Sequence, residues 1–343
     1  MTVQCRRAAA WAALVLLGSG CATQQPSAAP GPGTGDPALL ETGNRLALAS
    51  PAIARLWPGF WSPRHGFILA QPHQAVLLVS ERAPDSVYSP LPPRGVPRAL
   101  RGRAYLARGE VPGLNSSRGF AFDLRVPVAG SRLTAVPLKE NPAATIEFLV
   151  HEAFHAFQLD HFAPPAREDV AFDARSASDP RFAALAEVER RQLARALAVP
   201  RDSLEHVLRG YLAVRARRYS AAAASVREEE LHLERIEGSA YLAGVTAAAI
   251  SDGSGPERVA AVVRDHLSTP LDVPDARWLL RARVYGTGAA IGILLDRLGV
   301  EWKARLQEGA TFHELLAGAV PLRPGEAEDL ATRVLEEAGS RRR

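Results

Sequence analysis

Cysteine is nearly missing from this chain. Only Cys5 and Cys21 occur, both within the first 21 of 343 residues. The remainder therefore holds no disulfide, no cysteine nucleophile and no cysteine metal ligand. Long apolar runs are scarce as well: the leading one, Ala8 to Leu17, has ten residues, too few to span a bilayer as a helix. No basic block with interleaved aromatics is present, so nothing points to nucleic acid as a partner. The formal charge is only +4. Two of those positives, Arg6 and Arg7, precede the apolar run, leaving the body near charge balance. What the chain does have is 47% hydrophobic and 23% charged residues, a globular composition. It is long enough for a sizeable core and for two domains.

The leading segment has the layout of an export signal. Arg6 and Arg7 come first, then the short apolar run, then the small residues Gly18-Ser19-Gly20 before Cys21. Cys21 resembles the lipid-acceptor cysteine of bacterial lipoproteins, although Gly18 stands where the usual lipobox has Leu and Leu17 lies one place earlier. The resemblance implies a signal peptide over 1–20, lipidation of Cys21 and a membrane anchor. The missing Asp after Cys21 resembles lipoproteins sorted to the outer membrane. Pro, Gly, Ala, Ser, Thr and Gln dominate 22–36, which reads as a flexible tether over 21–45.

Two textures divide the rest of the chain. Over 46–138 the signals are short and β-like. Phe67-Ile-Leu-Ala70 and Ala75-Val-Leu-Leu-Val79 flank a turn at Pro72, and Phe120 to Val126 alternates with period two. This predicts a small β-rich or mixed domain, with the Trp57-Pro-Gly-Phe-Trp61 cluster in a core. From 139 to 343 the texture is helical. Asn141 and Pro142 mark a helix start, and further helices are expected over 182–198, 203–223, 225–251, 255–266, 277–298, 302–307 and 326–338. The expected class is α+β, a mainly helical domain preceded by a small β-rich one.

The chemistry centres on His151-Glu152-Ala-Phe-His155. Residues four apart on a helix share a face, so both imidazoles can reach one ion. Glu152 then lies beside any water held there and can take its proton. Ile146, Phe148, Leu149, Val150, Phe154 and Phe157 make this helix apolar nearly all round, hence buried. Polar side chains in such a place are costly unless paired or bound to metal. A catalytic zinc commonly takes three protein ligands and keeps a position for water. His65, His73, His161, His206, His232, His266 and His313 each read more simply as ordinary surface or core residues than as a third ligand. Glu234 and Glu237, one turn apart, are better candidates. Small residues after Glu237 (Gly238, Ser239, Ala240) allow a close helix approach. The run Glu228-Glu229-Glu230 and the arginines Arg209, Arg215, Arg217 and Arg218 read most simply as solvated helix faces.

In three places the helical half resembles gluzincins of the aminopeptidase N group and their peptidase-MA-like relatives. These are His151-Glu-Ala-Phe-His155 with Gln158 three residues on, Glu237-Gly-Ser-Ala240, and Tyr285-Gly-Thr-Gly288. The resemblance implies one zinc ion on His151, His155 and Glu237, Glu152 as general base, Tyr285 as oxyanion stabiliser, and a peptide or protein substrate. Thr287 departs from the family's lysine, and no G-x-M-E-N exopeptidase motif precedes the zinc helix. A non-catalytic zinc-stabilised lipoprotein and a zinc esterase or deacylase remain open beside the peptidase.

Overall fold

Pro37–Ile53 forms the first described element, helix α1. Asp36 starts it by accepting from the backbone N–H groups of Ala38 and Leu39, and Pro37 costs nothing at a position whose N–H has no helical partner. The tether expected through residue 45 is therefore helix from Pro37 onward. The computed structural model describes residues 36–71, 74–84, 87–108, 111, 123–164, 179–270 and 276–340. Cys21, the leading segment, Pro72, His73 and 120–122 lie outside them.

Two compact units emerge, the division falling inside α1. One comprises the described residues as far as Asn44 and those within Gly66–Lys139. Its described residues form six strands: β1 (Phe67–Gln71), β2 (Ala75–Val79), β3 (Ser89–Pro90), β4 (Ala104–Arg108), β5 (Asp123–Val128) and β6 (Ser131–Pro137), in the order β3-β4-β2-β1-β6-β5. Only the β1–β6 pair is parallel. Strands β1 and β2 read as apolar runs rather than alternations because both faces are covered. Ile68, Ala70, Val76 and Leu78 join one cluster with Ala107, Leu133 and Ala135. On the opposite face Leu77 and Phe67 approach Gly43 of α1, where a Cβ would meet the Leu77 side chain at 2.9 Å.

The second unit comprises Arg45–His65 and Glu140–Arg343. Its further helices are α2 (Pro142–His161), α3 (Pro180–Ala198), α4 (Arg201–Ala221), α5 (Ala224–Leu233), α6 (Ser239–Ser251), α7 (Pro256–Ser268), α8 (Ala276–Leu298), α9 (Lys303–Gln307), α10 (Phe312–Ala319) and α11 (Glu326–Ser340). The helix expected over 225–251 is interrupted: a π-helical turn, Glu234–Gly238, joins α5 to α6. The Trp57–Trp61 cluster belongs to this unit and not to the sheet. Trp57 and Phe60 set their edges against Phe154 of α2 at 5.0 and 4.8 Å between centroids, and Trp57 meets Trp302 at 5.2 Å. Edge-to-face pairs of this kind contribute roughly 0.5–1.5 kcal/mol each beyond their buried area. They fix the rear of α2, so its other face is held for the site. The molecule is thus mixed α and β, and no described helix is long and apolar enough to cross a membrane.

Candidate metal centre

Helix α2 begins where Asn141 Oδ1 accepts from Ala144 N at 2.8 Å with Pro142 at the first position. Its buried stretch carries His151, Glu152 and Gln158 among Phe148, Leu149, Val150, Phe154 and Phe157. Along it runs α6, and the close approach is made at Gly244. A Cβ there would stand 2.6 Å from the Glu147 carbonyl and 3.3 Å from His151 Cβ. Gly238 has a different neighbour from the one its sequence position suggests. It lies against Gly288 of α8, whose Cα would be 2.5 Å from an added Cβ.

Three side chains converge. His151 Nε2 and His155 Nε2 are 2.9 Å apart. Glu237 Oε2 stands 3.2 Å from the second and 3.6 Å from the first. Ligands arranged tetrahedrally at 2.0–2.1 Å from a zinc ion are about 3.3 Å from one another, so these edges match such a set. Glu237 Oε2 is also buried without a well-formed hydrogen bond, and a buried oxygen in that condition calls for a partner. Among the described residues this is the group able to hold a metal ion. No other described histidine joins it, and neither does Glu234.

The neighbours orient these three side chains. Gln158 Nε2 donates to the Ile236 carbonyl and to Ser239 Oγ, both at 2.9 Å. That fixes the amide so that its Oε1 accepts from His155 Nδ1–H at 2.7 Å, and Nε2 of His155 is left facing the other ligands. Arg281 Nη2 donates to Glu237 Oε1 at 2.8 Å, leaving Oε2 for the imidazoles. Burial opposes charge on Glu237, yet His155 and His151 outweigh it and hold the carboxyl well below its usual range. Burial likewise opposes charge on His155, but Glu237, with Glu152 and Gln158, raises it to about 9. An entering cation therefore displaces a proton.

Glu152 is 3% exposed, and its charge acts on both His155 and Tyr285. Tyr285, on α8, lies parallel to His151 with centroids 5.6 Å apart and planes 6° from alignment. Burial and then Glu237 push its phenol far above the usual range, so it is a hydrogen-bond donor at neutral pH. No family model, curated protein or solved structure matches the chain.

Sequence reasoning missed Arg281. The available signal was its position one turn before Tyr285, on the same helical face. It also misread part of the charged helices: Arg209 and Arg217 are part-exposed, but Arg215, Arg218 and Glu230 are not. Arg215 and Arg218 are 0% exposed and Glu230 is 1% exposed. Arg218 bridges Glu189 (2.8 Å through Nη2) and Glu230 (2.7 Å through Nη1), Arg215 reaches Glu234 at 2.6 Å, and Arg283 reaches Glu230 at 2.5 Å. These side chains are buried and paired instead of solvated. Glu228 remains exposed, as a solvated face should.

Proposed function

We propose that the protein is a zinc-dependent metallohydrolase of the gluzincin type, cleaving amide bonds in a peptide or protein substrate. The observation that carries this reading is the meeting of Glu237 Oε2 with the His151 and His155 Nε2 atoms. The carboxylate comes from a separate helix, 82 residues beyond the motif. Two imidazoles and one carboxylate form a donor set suited to catalytic zinc. His151, His155 and Glu237 would hold the zinc ion, which would supply polarisation of a carbonyl and a bound water of near-neutral pKa.

The chain's own groups perform the remaining work. Glu152 takes the proton of the attacking water and passes it to the departing amine. The Tyr285 hydroxyl donates to the oxyanion that forms as the carbonyl becomes tetrahedral. Gln158 keeps His155 in the ligating tautomer, and Arg281 keeps one carboxylate oxygen turned inward. The Arg6-Arg7 and apolar segment before Cys21 supports export and lipid anchoring of the same protein to a bacterial membrane.

The test is metal analysis with a peptide-library cleavage assay on the wild type and on Glu152→Gln. One zinc per chain is expected in both. Turnover should fall by about 10²–10⁴ in the variant and stop in the wild type on chelation. Undiminished turnover by Glu152→Gln would remove the base assignment. A zinc-loaded wild type that cleaves nothing would leave the non-catalytic alternative standing.

A further inference from the structure

The π-helical turn that presents Glu237 is gripped at every residue. Arg235 donates through Nε to the Leu306 carbonyl (2.8 Å), through Nη1 to Ala163 (2.8 Å) and through Nη2 to Gln307 (3.0 Å). The Ile236 carbonyl accepts from Gln158. Gly238 sits on Gly288. Glu234, at the head of the turn, is 1% exposed and bound on both oxygens. Oε2 accepts from Arg215 Nη2, and Oε1 accepts from Thr287 Oγ1, each at 2.6 Å. Thr287 is next to Gly288, whose added Cβ would meet the Glu234 carbonyl at 2.6 Å.

The turn matters because Glu230, Glu234 and Glu237 would share one face of an uninterrupted α-helix. One additional residue in the turn changes the angle between the side chains of α5 and those of α6 by about 100°. The observed turn sends Glu230 and Glu234 into the arginine cluster while Glu237 faces the imidazoles. A π turn is less favourable than regular helix and persists only where its surroundings hold it.

We propose that Thr287 and Glu234 are positioning residues for the metal ligand Glu237. The Thr287–Glu234–Arg215 link locks the π turn in the register that aims Glu237 Oε2 at His151 and His155. Thr287 thus has a task of its own at the place where the resembled family carries lysine. This inference rests on the zinc reading of the centre.

The test uses the full chain, with zinc affinity measured by competition against a chromophoric chelator. The visible spectrum of the cobalt-substituted protein reports ligand geometry. Thr287→Val removes the donor while keeping the shape, and it is expected to weaken zinc binding about 10–100-fold, the usual effect of losing an outer partner of a metal ligand. The cobalt spectrum should change with it, and Thr287→Ser should restore both. Thr287→Ala, which leaves room for a water at Glu234, should give the same change in smaller measure and serves if the valine variant does not fold. Wild-type affinity and an unchanged cobalt spectrum in a folded variant, even one that melts earlier, would overturn the positioning role. Failure of the wild type to bind zinc would overturn the zinc reading itself, a separate result.

Discussion

Glu237 presents two oxygens to two kinds of neighbour, and that division gives the centre its polarity. Arg281 takes Oε1 while Oε2 faces the imidazoles. Tyr285 stands beside the same carboxylate with its ring flat on His151. Its hydroxyl and its ring therefore have separable tasks, and Tyr285→Phe separates them by keeping the stack and deleting the donor. Loss of one donor to a developing oxyanion lowers kcat by about 10²–10³. The expected variant has that loss in kcat, a KM near the wild-type value and an unchanged zinc content. Steady-state kinetics on a cleaved peptide measure all but the last. A KM effect with intact kcat would make Tyr285 a substrate-binding residue instead. At this scale the sequence was highly legible where spacing alone sets geometry, because His151, Glu152 and His155 lie within little more than one helical turn. At Glu237 it was legible in part: the small residue after it does mark a close approach, but Gly238 makes it to Gly288 of α8, while Gly244 is the one that meets α2. Gln158 meets His155 at the local i,i+3 spacing, but its bonds to Ile236 and Ser239 and the bond from Arg281 to Glu237 join residues 78, 81 and 44 apart, so their partners cannot be read from local spacing.

Helix α6 lies on α2 at Gly244, and the π turn lies on α8 through the Gly238–Gly288 pair. Glycine at these crossings is required by proximity, since all three have ordinary helical backbones. Gly244→Ala would put a methyl carbon 2.6 Å from the Glu147 carbonyl oxygen, and backbone cannot yield as a flexible side-chain tip can. Overpacking of this type costs about 1–3 kcal/mol. A melting temperature lower by several degrees is expected. Weaker zinc binding should accompany it, because His151 Cβ borders the same space. An unchanged melt would mean that the two helices part without cost. The sequence indicates most of the elements: the β1–β2 pair, α2 with its Asn141 cap, and the helices near 182–198 and 326–338. It hides others for identifiable reasons. Helix α1 comes after Pro/Gly-rich chain and contains Pro51, so its signal is diluted. The π turn leaves the pattern of α5 and α6 looking like one helix. The charged stripes on α4 and α5 resemble solvated faces because their partners are far along the chain. Arg218 finds Glu189 29 residues away, and Arg283 finds Glu230 53 residues away.

At the scale of the whole molecule, the helical unit contains the whole His151–His155–Glu237 group and a balanced buried cluster of Arg215, Arg218 and Arg283 with Glu189, Glu230 and Glu234. Buried ion pairs of this sort contribute little net stability over an apolar core, but breaking one costs about 3–5 kcal/mol. They also make stability depend on pH. His313 borders the cluster, and burial with the nearby Arg215 lowers it from its ordinary 6.5 to about 4. His232 and His266 are lowered too, chiefly by burial. Between those values the unfolded chain takes up protons that the folded protein refuses, so stability falls as acid is added. Glu230 has the same sign at lower pH. Burial works against its charge, but Arg218 and Arg283 hold it far below its ordinary 4.5, so below that value the unfolded chain again protonates first. Thermal melts of the metal-free protein, kept so by chelator, should therefore show a decline from pH 6.5 that steepens below about 4.5. The His313→Gln variant should flatten the upper limb and leave the lower one, since only the lower belongs to the carboxylates. An upper limb of unchanged slope in that variant would assign the loss to His232 and His266, and a melt independent of pH down to 4 would mean that the cluster is hydrated and its charges are not held as the buried geometry requires.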